Sequence, residues 1–477
     1  MNYYVGVDIG HTKIKAGIFD VKGNMICMAS QKTPFMSESI ETEVLWQCIA
    51  KCVKKLIVAS GLDKEKIKGI SCSGHGNGLY LLDKNNKSMK NAYSATYSEG
   101  EEFVSNWKKS GKAEEINKYI FQDIWAGQPL SILAYLKERE RELYENIGTV
   151  FFCKDYINYC LTDEIATDYT DTSAAGVMDN SAGIYNEKIF ETVGLREMHN
   201  KLPPVKKSTD VIGYVSKKAA KMTGLKPGTV VAVGMFDVAA SIVGTGSYKD
   251  GNCTVISGTW GINAIISKTL PEKQKFLQCI RFIDGEAFVN IESAPTSSVN
   301  LEWLLKGIFP DVIYKEADEI VQKFSADDVK MIYKPYIYGD LRNNQKGGAF
   351  LNLSYKDNKE TMIRAVYEGV AMGHRKQLEA LEESGYETDS IVFAGGAANS
   401  SVWCGIFADV LGKTLRVPKR GDAGILGNVM VASLAAGEFT DLDAVHEIMK
   451  SEQTVYYPDD NRKTIYDEKY RLFKQYQ

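Results

Sequence analysis

The chain has 477 residues, of which 44% are hydrophobic and 25% charged, with a formal net charge of −4 at pH 7. This length exceeds what one hydrophobic core normally supports, so we expect at least two domains. A slightly acidic chain without a long apolar run argues against nucleic acid and membrane as partners.

The strand-like beginning MNYYVGVDIG shows no signal-peptide pattern, which favours a cytoplasmic protein. The nine cysteines lack regular spacing and contain no C-x-x-C pair, so neither a disulfide framework nor a structural zinc site is expected.

The first half alternates strand and helix patterns. The alternation at the start predicts a strand, a tight turn near Gly10, a second strand, a turn at 22–24 and a third strand. A helix is expected around 41–60 and a short buried strand at 67–74, and the region 101–200 is mostly helical by periodicity. Residues 228–244 then read as a strand leading into a helix.

The second half restates this pattern. Residues 252–268 predict strand, glycine turn and strand, and residues 388–412 predict strand, glycine turn and helix. Glycine and charged residues cluster at 244–252, which is typical of a joint between ordered units. We therefore predict an N-terminal domain at 1–245 and a C-terminal domain at 246–477.

The stretch DIGHTK, residues 8–13, combines a carboxylate with a tight turn. Asp8 ends a predicted strand, Gly10 permits the turn, and Thr12 and Lys13 follow it. Such a turn can donate to phosphate oxygens while the carboxylate holds Mg²⁺ or its waters. The alternative is an ordinary hairpin with an aspartate in its turn.

Two further glycine turns fit the same ligand. Gly258 and Thr259 in SGTWG lie at the equivalent place in the second half, where they could hold the other end of a polyphosphate. Gly395 and Gly396 in AGGAANS leave room for a flat ring, and Asn399 could reach a ligand or cap the next helix. For each turn, the alternative is a plain hairpin or strand-to-helix connection.

The stretch GMFDVAA places Asp237 after a buried strand, at a helix start. It could be a helix N-cap. It could also be a general base that accepts a proton from a hydroxyl attacking phosphorus. An ordinary aspartate pKa of about 4 would make it a weak base, which a loose transition state tolerates.

The segment SCSGHGNGLY, residues 71–80, looks like a phosphate loop. It fits neither G-x-x-x-x-G-K-[ST] nor G-x-G-x-x-G, however. Because three other turns already account for a nucleotide, the glycines around His75 and Asn77 are interpreted as room for an acceptor.

Together these motifs resemble, in order and over nearly the whole chain, the FGGY family of carbohydrate kinases. Further similar segments lie at 154–173, 336–353 and 421–428. The resemblance implies an α/β protein of two ribonuclease H-like domains, as in the actin, Hsp70 and sugar-kinase superfamily, with an interdomain cleft that binds ATP, Mg²⁺ and a sugar. The resemblance implies that Asp237 is the base and that Asp8 is the metal ligand. It implies an ATP site formed by the turn residues Thr12, Lys13, Gly258, Thr259, Gly395, Gly396 and Asn399. It implies an acceptor site formed by His75, Gly76, Asn77, Trp125, Gln128 and Asp237.

Two features bear on the acceptor. The loop His75-Gly76-Asn77 resembles the kinases for L-xylulose, 3-keto-L-gulonate and erythritol, which makes L-xylulose the best single candidate. Residues 93–100 lack the Trp-x-Asp-x-Arg pattern frequent in the family, which puts substrate contacts in doubt.

Other outcomes stay open. The acceptor could be D-xylulose, erythritol or autoinducer-2, and Trp125 could be a core residue. The protein could also be an actin- or Hsp70-like nucleotide switch that binds ATP without a sugar. Monomer and homodimer are both compatible with the sequence.

Overall fold

The computed structural model describes residues 1–34, 38–274, 276–339, 347–419 and 422–475. The strands of its N-terminal half are β1 (Tyr3–Ile9), β2 (Lys13–Asp20), β3 (Met25–Lys32), β4 (Ser39–Glu41), β5 (Ile67–Gly74), β6 (Tyr80–Asp83), β7 (Asn91–Tyr93), β8 (Ile147–Phe151), β9 (Thr167–Asp168), β10 (Met178–Asp179), β11 (Ile184–Tyr185), β12 (Val205–Lys206), β13 (Val211–Tyr214), β14 (Val230–Ala232) and β15 (Met235–Phe236).

The helices of this half are α1 (Thr42–Ser60), α2 (Glu101–Lys109), α3 (Lys112–Ile120), α4 (Pro129–Arg139), α5 (Arg141–Asn146), α6 (Cys153–Thr162), α7 (Tyr169–Ala174), α8 (Glu187–Thr192), α9 (Lys217–Thr223) and α10 (Asp237–Thr245), with 3₁₀ turns at Lys64–Lys66 and Arg196–Lys201.

The main sheet of the N-terminal half has the order β13-β14-β5-β1-β2-β3, and β15 also pairs with β5. β1, β2 and β3 form antiparallel pairs, whereas β5 runs parallel to both β1 and β14. Side chains of β1 and β5 are buried on both faces, because helices cover the two sides. The ends of β1 and β5 therefore lie side by side.

The C-terminal half repeats this arrangement. Its strands are β16 (Cys253–Ser257), β17 (Gly261–Ser267), β18 (Gln278–Arg281), β19 (Phe288–Ala294), β20 (Ile332–Lys334), β21 (Ala349–Leu351), β22 (Ser390–Ala394), β23 (Thr414–Pro418) and β24 (Gln453–Tyr456). Its helices are α11 (Val299–Trp303), α12 (Tyr314–Gln322), α13 (Lys359–Glu382), α14 (Ser401–Leu411), α15 (Ala423–Ala435), α16 (Leu442–Met449) and α17 (Asp460–Gln475), with a π turn at Leu304–Ile308 and a 3₁₀ turn at Gly396–Asn399.

The second sheet has the order β18-β19-β17-β16-β22-β23-β24. β16, β17 and β19 are antiparallel neighbours, and β22 runs parallel to β16 and β23. The two sheets thus share one topology, as the repeated sequence pattern predicted, and the ribonuclease H-like α/β prediction is confirmed. The boundary between 245 and 246 stays a prediction.

The expected elements match closely where the pattern was strong. The helix expected at 41–60 is α1, and the strand expected at 67–74 is β5. The region 101–200, expected to be mostly helical, also contains β8, which pairs with β6. The short run IGTVF follows a helical pattern directly, and periodicity alone does not separate such a run from a helix end.

The helices α10 and α15 cross at two glycines. A Cβ on Gly244 would lie 1.9 Å from the backbone oxygen of Ala423, and a Cβ on Gly427 would lie 1.9 Å from that of Ala240. Only glycine permits so close an approach. Because α10 begins at Asp237 and α15 begins beside Asp8, this crossing fixes the two helix starts relative to each other.

Among the described residues, we find no helix that is both long and apolar enough to span a bilayer.

Candidate active site

Asp8 lies near the end of β1 in a group of charged side chains. In the sheet register it is opposite Lys15 of β2 and Ser73 of β5. The Ser73 hydroxyl donates to Asp8 Oδ1 at 3.1 Å, and Lys15 Nζ lies 3.9 Å from Asp8 Oδ2 and 2.5 Å from Asp422 Oδ2. Burial, and then the charge of Asp422, raises the pKa of Asp8 to about 6.

Asp237 is the first residue of α10. The preceding residue, Phe236, pairs with Gly74 at the end of β5, so Asp237 emerges next to the end of β1 that carries Asp8. Burial, and then the charge of Asp8, raises the pKa of Asp237 to about 8. The ordinary pKa of about 4 expected from the sequence is therefore wrong for this carboxyl group. Phe236, not Asp237, is the N-cap residue, which removes the capping alternative.

His75 follows β5 in the glycine-rich loop. Its backbone N–H donates to the carbonyl of Ile9, and its Nε2 lies 3.0 Å from the hydroxyl of Tyr80. The ring of His11 meets the ring of His75 edge-on at 6.3 Å between centroids. Burial lowers the pKa of His75 to about 4, so the imidazole is neutral and can both donate and accept.

The structure requires glycine at positions 76 and 78 of this loop for a different reason from the one expected. A Cβ on Gly76 would lie 2.1 Å from the ring of Phe236, and one on Gly78 would lie 2.4 Å from the carbonyl oxygen of Tyr93. The space beside these glycines is thus filled by the protein and not left open for an acceptor. Gly76 instead lets the loop pack on the residue that precedes Asp237.

Asn77 presents a buried amide oxygen to the site. It is 5% exposed and adopts the left-handed conformation, with φ 59°. Among the described residues, its buried Oδ1 has no hydrogen-bond partner. Such an oxygen carries a desolvation penalty unless a ligand or water donates to it.

The loop that carries Trp125 and Gln128 adjoins the glycine-rich loop, because the Gly78 N–H donates to the carbonyl of Gly127 at 3.1 Å. The Gln128 side chain is used within its own loop: its Oε1 accepts from the Trp125 N–H, and its Nε2 donates to the carbonyl of Asp123. Trp125 is half-buried. Gln128 therefore has a structural role, and both residues remain predicted acceptor contacts.

The first predicted phosphate turn is present between β1 and β2. The Gly10 N–H donates to the carbonyl of Lys13 at 3.0 Å, and the Thr12 carbonyl accepts from the backbone of Thr33. The side chains of Thr12 and Lys13 are exposed and can reach a ligand. The lysine whose ammonium group lies beside the Asp8 carboxylate is Lys15, not Lys13.

The second and third predicted turns lie against each other. A Cβ on Gly395 would lie 2.5 Å from the carbonyl oxygen of Ser257, immediately before Gly258. The Ser298 hydroxyl donates to the Gly258 carbonyl at 2.8 Å, and Thr259 is exposed beside it. These two turns thus form one surface at the ends of β16 and β22.

Asn399 does not cap α14. The cap is Ser400, whose hydroxyl accepts a backbone N–H of that helix, while Asn399 Nδ2 donates to the carbonyl of Gly396 and the side chain stays exposed. The alternative of a helix cap at Asn399 is therefore wrong, and a ligand contact remains predicted.

Sequence reasoning missed Lys15, Ser73, His11 and Tyr80 as parts of this site. The alternation of β2 was an available signal, because it places Lys15 on the same face as Lys13. The contact of Lys15 with Asp422 had no sequence signal, since 407 positions separate them. Part of the predicted segment 336–353 and the first residue of 421–428 lie outside the described residues.

The sequence matches the N-terminal domain of the FGGY family of carbohydrate kinases over residues 3–244 and the C-terminal domain of that family over residues 312–436. Together with the paired sheets and the carboxylates at their strand ends, these matches define a two-domain sugar kinase. The chain belongs to the FGGY family of carbohydrate kinases. This kinase membership implies ATP as the co-substrate and removes the alternative of a non-catalytic switch.

Among curated relatives, a probable L-xylulose kinase of Pasteurella multocida is 30% identical, covering 100% of this chain and 98% of its own. The L-xylulose/3-keto-L-gulonate kinase of Escherichia coli is 28% identical, covering 99% and 96%. Among solved structures, a ligand-bound xylulose kinase of Lactobacillus acidophilus superposes with a TM-score of 0.89 at 19% identity, covering 100% and 97%.

Proposed function

We propose that the protein transfers the γ-phosphoryl group of ATP to a hydroxyl of a ketopentose or related small polyol, with L-xylulose as the first candidate. Asp237 is the general base in this proposal. The observation that carries it is the position of Asp237, beside the Asp8–Lys15 pair and directly after the residue that packs on the His75 loop. The full-length relatives named as L-xylulose kinases support the choice of acceptor.

The raised pKa of Asp237 suits a general base. The carboxylate form of Asp237, with a pKa of about 8, takes the proton of the attacking hydroxyl with a larger driving force than a carboxylate near 4 would, and below about pH 8 only the deprotonated fraction of Asp237 acts as the base. The hydroxyl oxygen forms its bond to the γ-phosphorus, and the bond from that phosphorus to the bridging oxygen breaks, releasing ADP. Asp237 holds the transferred proton, and Lys15 supplies positive charge at the carboxylates beside it.

The residues present fit a magnesium ion at Asp8. Among the described residues, no three histidine, cysteine, aspartate or glutamate side chains are grouped as a metal cage. Mg²⁺ at phosphoryl-transfer sites is instead bound by one or two carboxylates together with phosphate oxygens. Asp8 is such a carboxylate; burial, and then the charge of Asp422, raise its pKa to about 6, so a cation beside it would favour its charged form. A bound Mg²⁺ would neutralise charge on the phosphates.

The groups available to the acceptor are neutral and polar. His75 stays uncharged, and the buried Oδ1 of Asn77 can accept from a hydroxyl. A site of this kind favours a ligand with adjacent hydroxyl groups over a charged one, because a buried polar group without a partner is costly. Thr12 and the Gly258–Thr259 turn are proposed to contact the phosphates, and Gly395, Gly396 and Asn399 to contact the adenosine.

The test is an ADP-release assay with L-xylulose, D-xylulose, erythritol and autoinducer-2 as acceptors, with the products identified by mass. We expect acceptor-dependent ADP release, strongest with L-xylulose, and its loss in Asp237→Asn and Asp237→Ala. Turnover retained in both variants would exclude Asp237 as base. Faster turnover of another acceptor in the panel would replace L-xylulose and leave the catalytic assignment standing.

A further inference from the structure

A buried lysine and three aspartates lie behind the start of α10. Lys154 Nζ is 2.5 Å from the carboxylate of Asp155, 2.9 Å from that of Asp168 and 3.0 Å from that of Asp171, and all four side chains are 0–2% exposed. Buried ion pairs contribute little net stability, because desolvation offsets the Coulomb attraction. The role of this cluster therefore depends on which other groups its carboxylates bind, not on how many ion pairs it contains.

Asp168 connects this cluster to the backbone in front of the base. The Thr170 hydroxyl donates to the Asp168 carboxylate at 2.6 Å, and the Thr170 oxygen accepts the backbone N–H of Phe236 at 2.8 Å. A hydroxyl has one proton, so its donation to Asp168 directs a lone pair towards Phe236. The chain from Lys154 through Asp168 and Thr170 thus ends on the residue immediately before Asp237.

Besides Thr170, this peptide is held by the pairing of β15 with the end of β5. β15 consists of Met235 and Phe236 alone, and Gly234 before it has φ 74°. Without Thr170, the buried N–H of Phe236 would lose this partner, which costs about 1–3 kcal/mol when the group is left unsatisfied. Since Phe236 also packs on Gly76, a shift of this peptide would move the base relative to the acceptor loop.

The helix that carries Thr170 also contacts the C-terminal half. In α7, the Ser173 hydroxyl oxygen accepts the Arg281 N–H at 2.9 Å, and the Ala174 carbonyl accepts from Gln278 Nε2 at 3.3 Å. Both donors belong to β18. α7 therefore lies between the peptide before Asp237 and the second sheet.

We propose that Thr170 is a positioning residue for Asp237, held in place by Asp168 and Lys154. It acts through the N–H of Phe236 and touches neither substrate. The proposal rests on the proposed function, because it requires Asp237 to be the base. Misplacing a catalytic group by a fraction of an ångström lowers the rate of the chemical step without weakening substrate binding to the same degree.

The test compares Thr170→Val, which removes the hydroxyl at similar volume, with Thr170→Ser, which keeps it. We expect Thr170→Val to lower kcat by about 10- to 100-fold while KM for sugar and ATP change by less than about threefold. Thr170→Ser is expected to keep kcat within about threefold of wild type. If Thr170→Val does not fold, Thr170→Ala, which places no methyl group against the Phe236 peptide, is assayed in its place.

Thr172→Val is the matched control. Thr172 lies in the same helix and is equally buried, but its hydroxyl donates to the backbone carbonyl of Asp168 at 2.8 Å. This variant should lose thermal stability and keep kcat. Wild-type kcat in Thr170→Val, or an equal fall of kcat in Thr172→Val, would overturn the positioning role. Turnover retained in Asp237→Asn would instead overturn the proposed base, so the two failures are distinguishable.

Discussion

The ammonium group of Lys15 lies 2.5 Å from the carboxylate of Asp422, and these two residues come from opposite halves of the chain. Lys15 belongs to β2, and Asp422 is the N-cap of α15. Burial alone would lower the pKa of Lys15, but the charges of Asp422 and Asp8 raise it above its ordinary value. The positive charge of Lys15 thus offsets the negative charges of Asp8 and Asp422, which come from the two halves of the chain and lie next to Asp237.

Removing this charge should impair catalysis more than binding of the acceptor. In Lys15→Met, Asp8 and Asp422 would face each other and Asp237 without the ammonium group, so repulsion would increase where phosphate must enter. We expect kcat to fall by about 10²- to 10³-fold and KM for the acceptor to change little. Steady-state kinetics with the acceptor and ATP varied in turn measure both effects.

Lys13→Met is the matched control for that variant. Lys13 is exposed on the same face of β2, two residues from Lys15, and was the lysine expected from the sequence to bind phosphate. We expect this variant to keep kcat within about threefold, since a single exposed charge contributes little. A larger loss in Lys13→Met than in Lys15→Met would restore Lys13 as the main phosphate contact.

The raised pKa of Asp237 predicts that Asp237→Asn stabilises the unliganded protein. The folded state keeps the Asp237 proton up to about pH 8, whereas the unfolded state loses it near pH 4. As the pH rises between these values, the folded state binds more protons than the unfolded state, so stability falls. Asp237→Asn removes this cost, which is on the order of 1 kcal/mol or more at pH 8.

Thermal unfolding at pH 5 and pH 8 measures this effect. The gain in Tm from Asp237→Asn should be larger at pH 8, and a gain that shrinks with rising pH would contradict the prediction. Asp179→Asn should have the opposite sign. Burial would raise the pKa of Asp179, but hydrogen bonds from Ser181 and Asn186 hold it below the ordinary value, so this charge stabilises the fold.

The crossing of α10 and α15 should not tolerate a methyl group. In Gly427→Ala the added Cβ would lie 1.9 Å from the carbonyl oxygen of Ala240, so the helices must separate. We expect a loss of about 1–3 kcal/mol in stability. We also expect lower kcat, because α10 carries Asp237 at its start. Urea unfolding and turnover are measured on the same preparation.

Gly405→Ala tests whether this loss comes from the crossing. Gly405 lies inside α14, and apart from its chain neighbours and the backbone of its own helix no described atom lies within 4 Å of a Cβ built there. Alanine at this position should increase stability by up to about 1 kcal/mol through helix propensity alone. A similar loss in both variants would show that glycine content, not the close approach, sets the effect.

The sequence predicted much of the fold because its local patterns were strong. Hydrophobic alternation predicted β1 and β2, and a short apolar run predicted β5. The repeated pattern in the second half predicted the second sheet. β8 was missed because its five residues follow α5 without a break. Short apolar runs carry no period of their own, so tertiary pairing with β6 decides their conformation.

The site was predicted less completely, for a physical reason. Motifs such as DIGHTK mark where the backbone turns, but they do not show which side chains of distant segments meet there. The contacts of Lys15 with Asp422 and of Thr170 with Phe236 join segments far apart in the chain. The pKa of Asp237 likewise depends on burial and on Asp8, which the residue type alone does not reveal.

Asn77 offers a direct test of acceptor binding, since its buried Oδ1 has no partner among the described residues. Its backbone has φ 59°, which glycine adopts without strain. Asn77→Gly therefore removes the amide and keeps the backbone conformation. We expect KM for the acceptor to rise by about 10-fold or more, as expected when a hydroxyl loses its partner, with KM for ATP unchanged.

The exposed turn residue Asn86 is a matched control, because it has the same φ of 59°. Asn86→Gly relieves similar backbone strain at a residue that is not one of the proposed acceptor contacts, and it should leave both KM values at wild-type levels. If Asn86→Gly and Asn77→Gly behave alike, the conformation and not the Asn77 amide determines acceptor affinity. If KM for ATP rises instead in Asn77→Gly, the glycine-rich loop contacts the nucleotide after all, and its assignment to the acceptor is wrong.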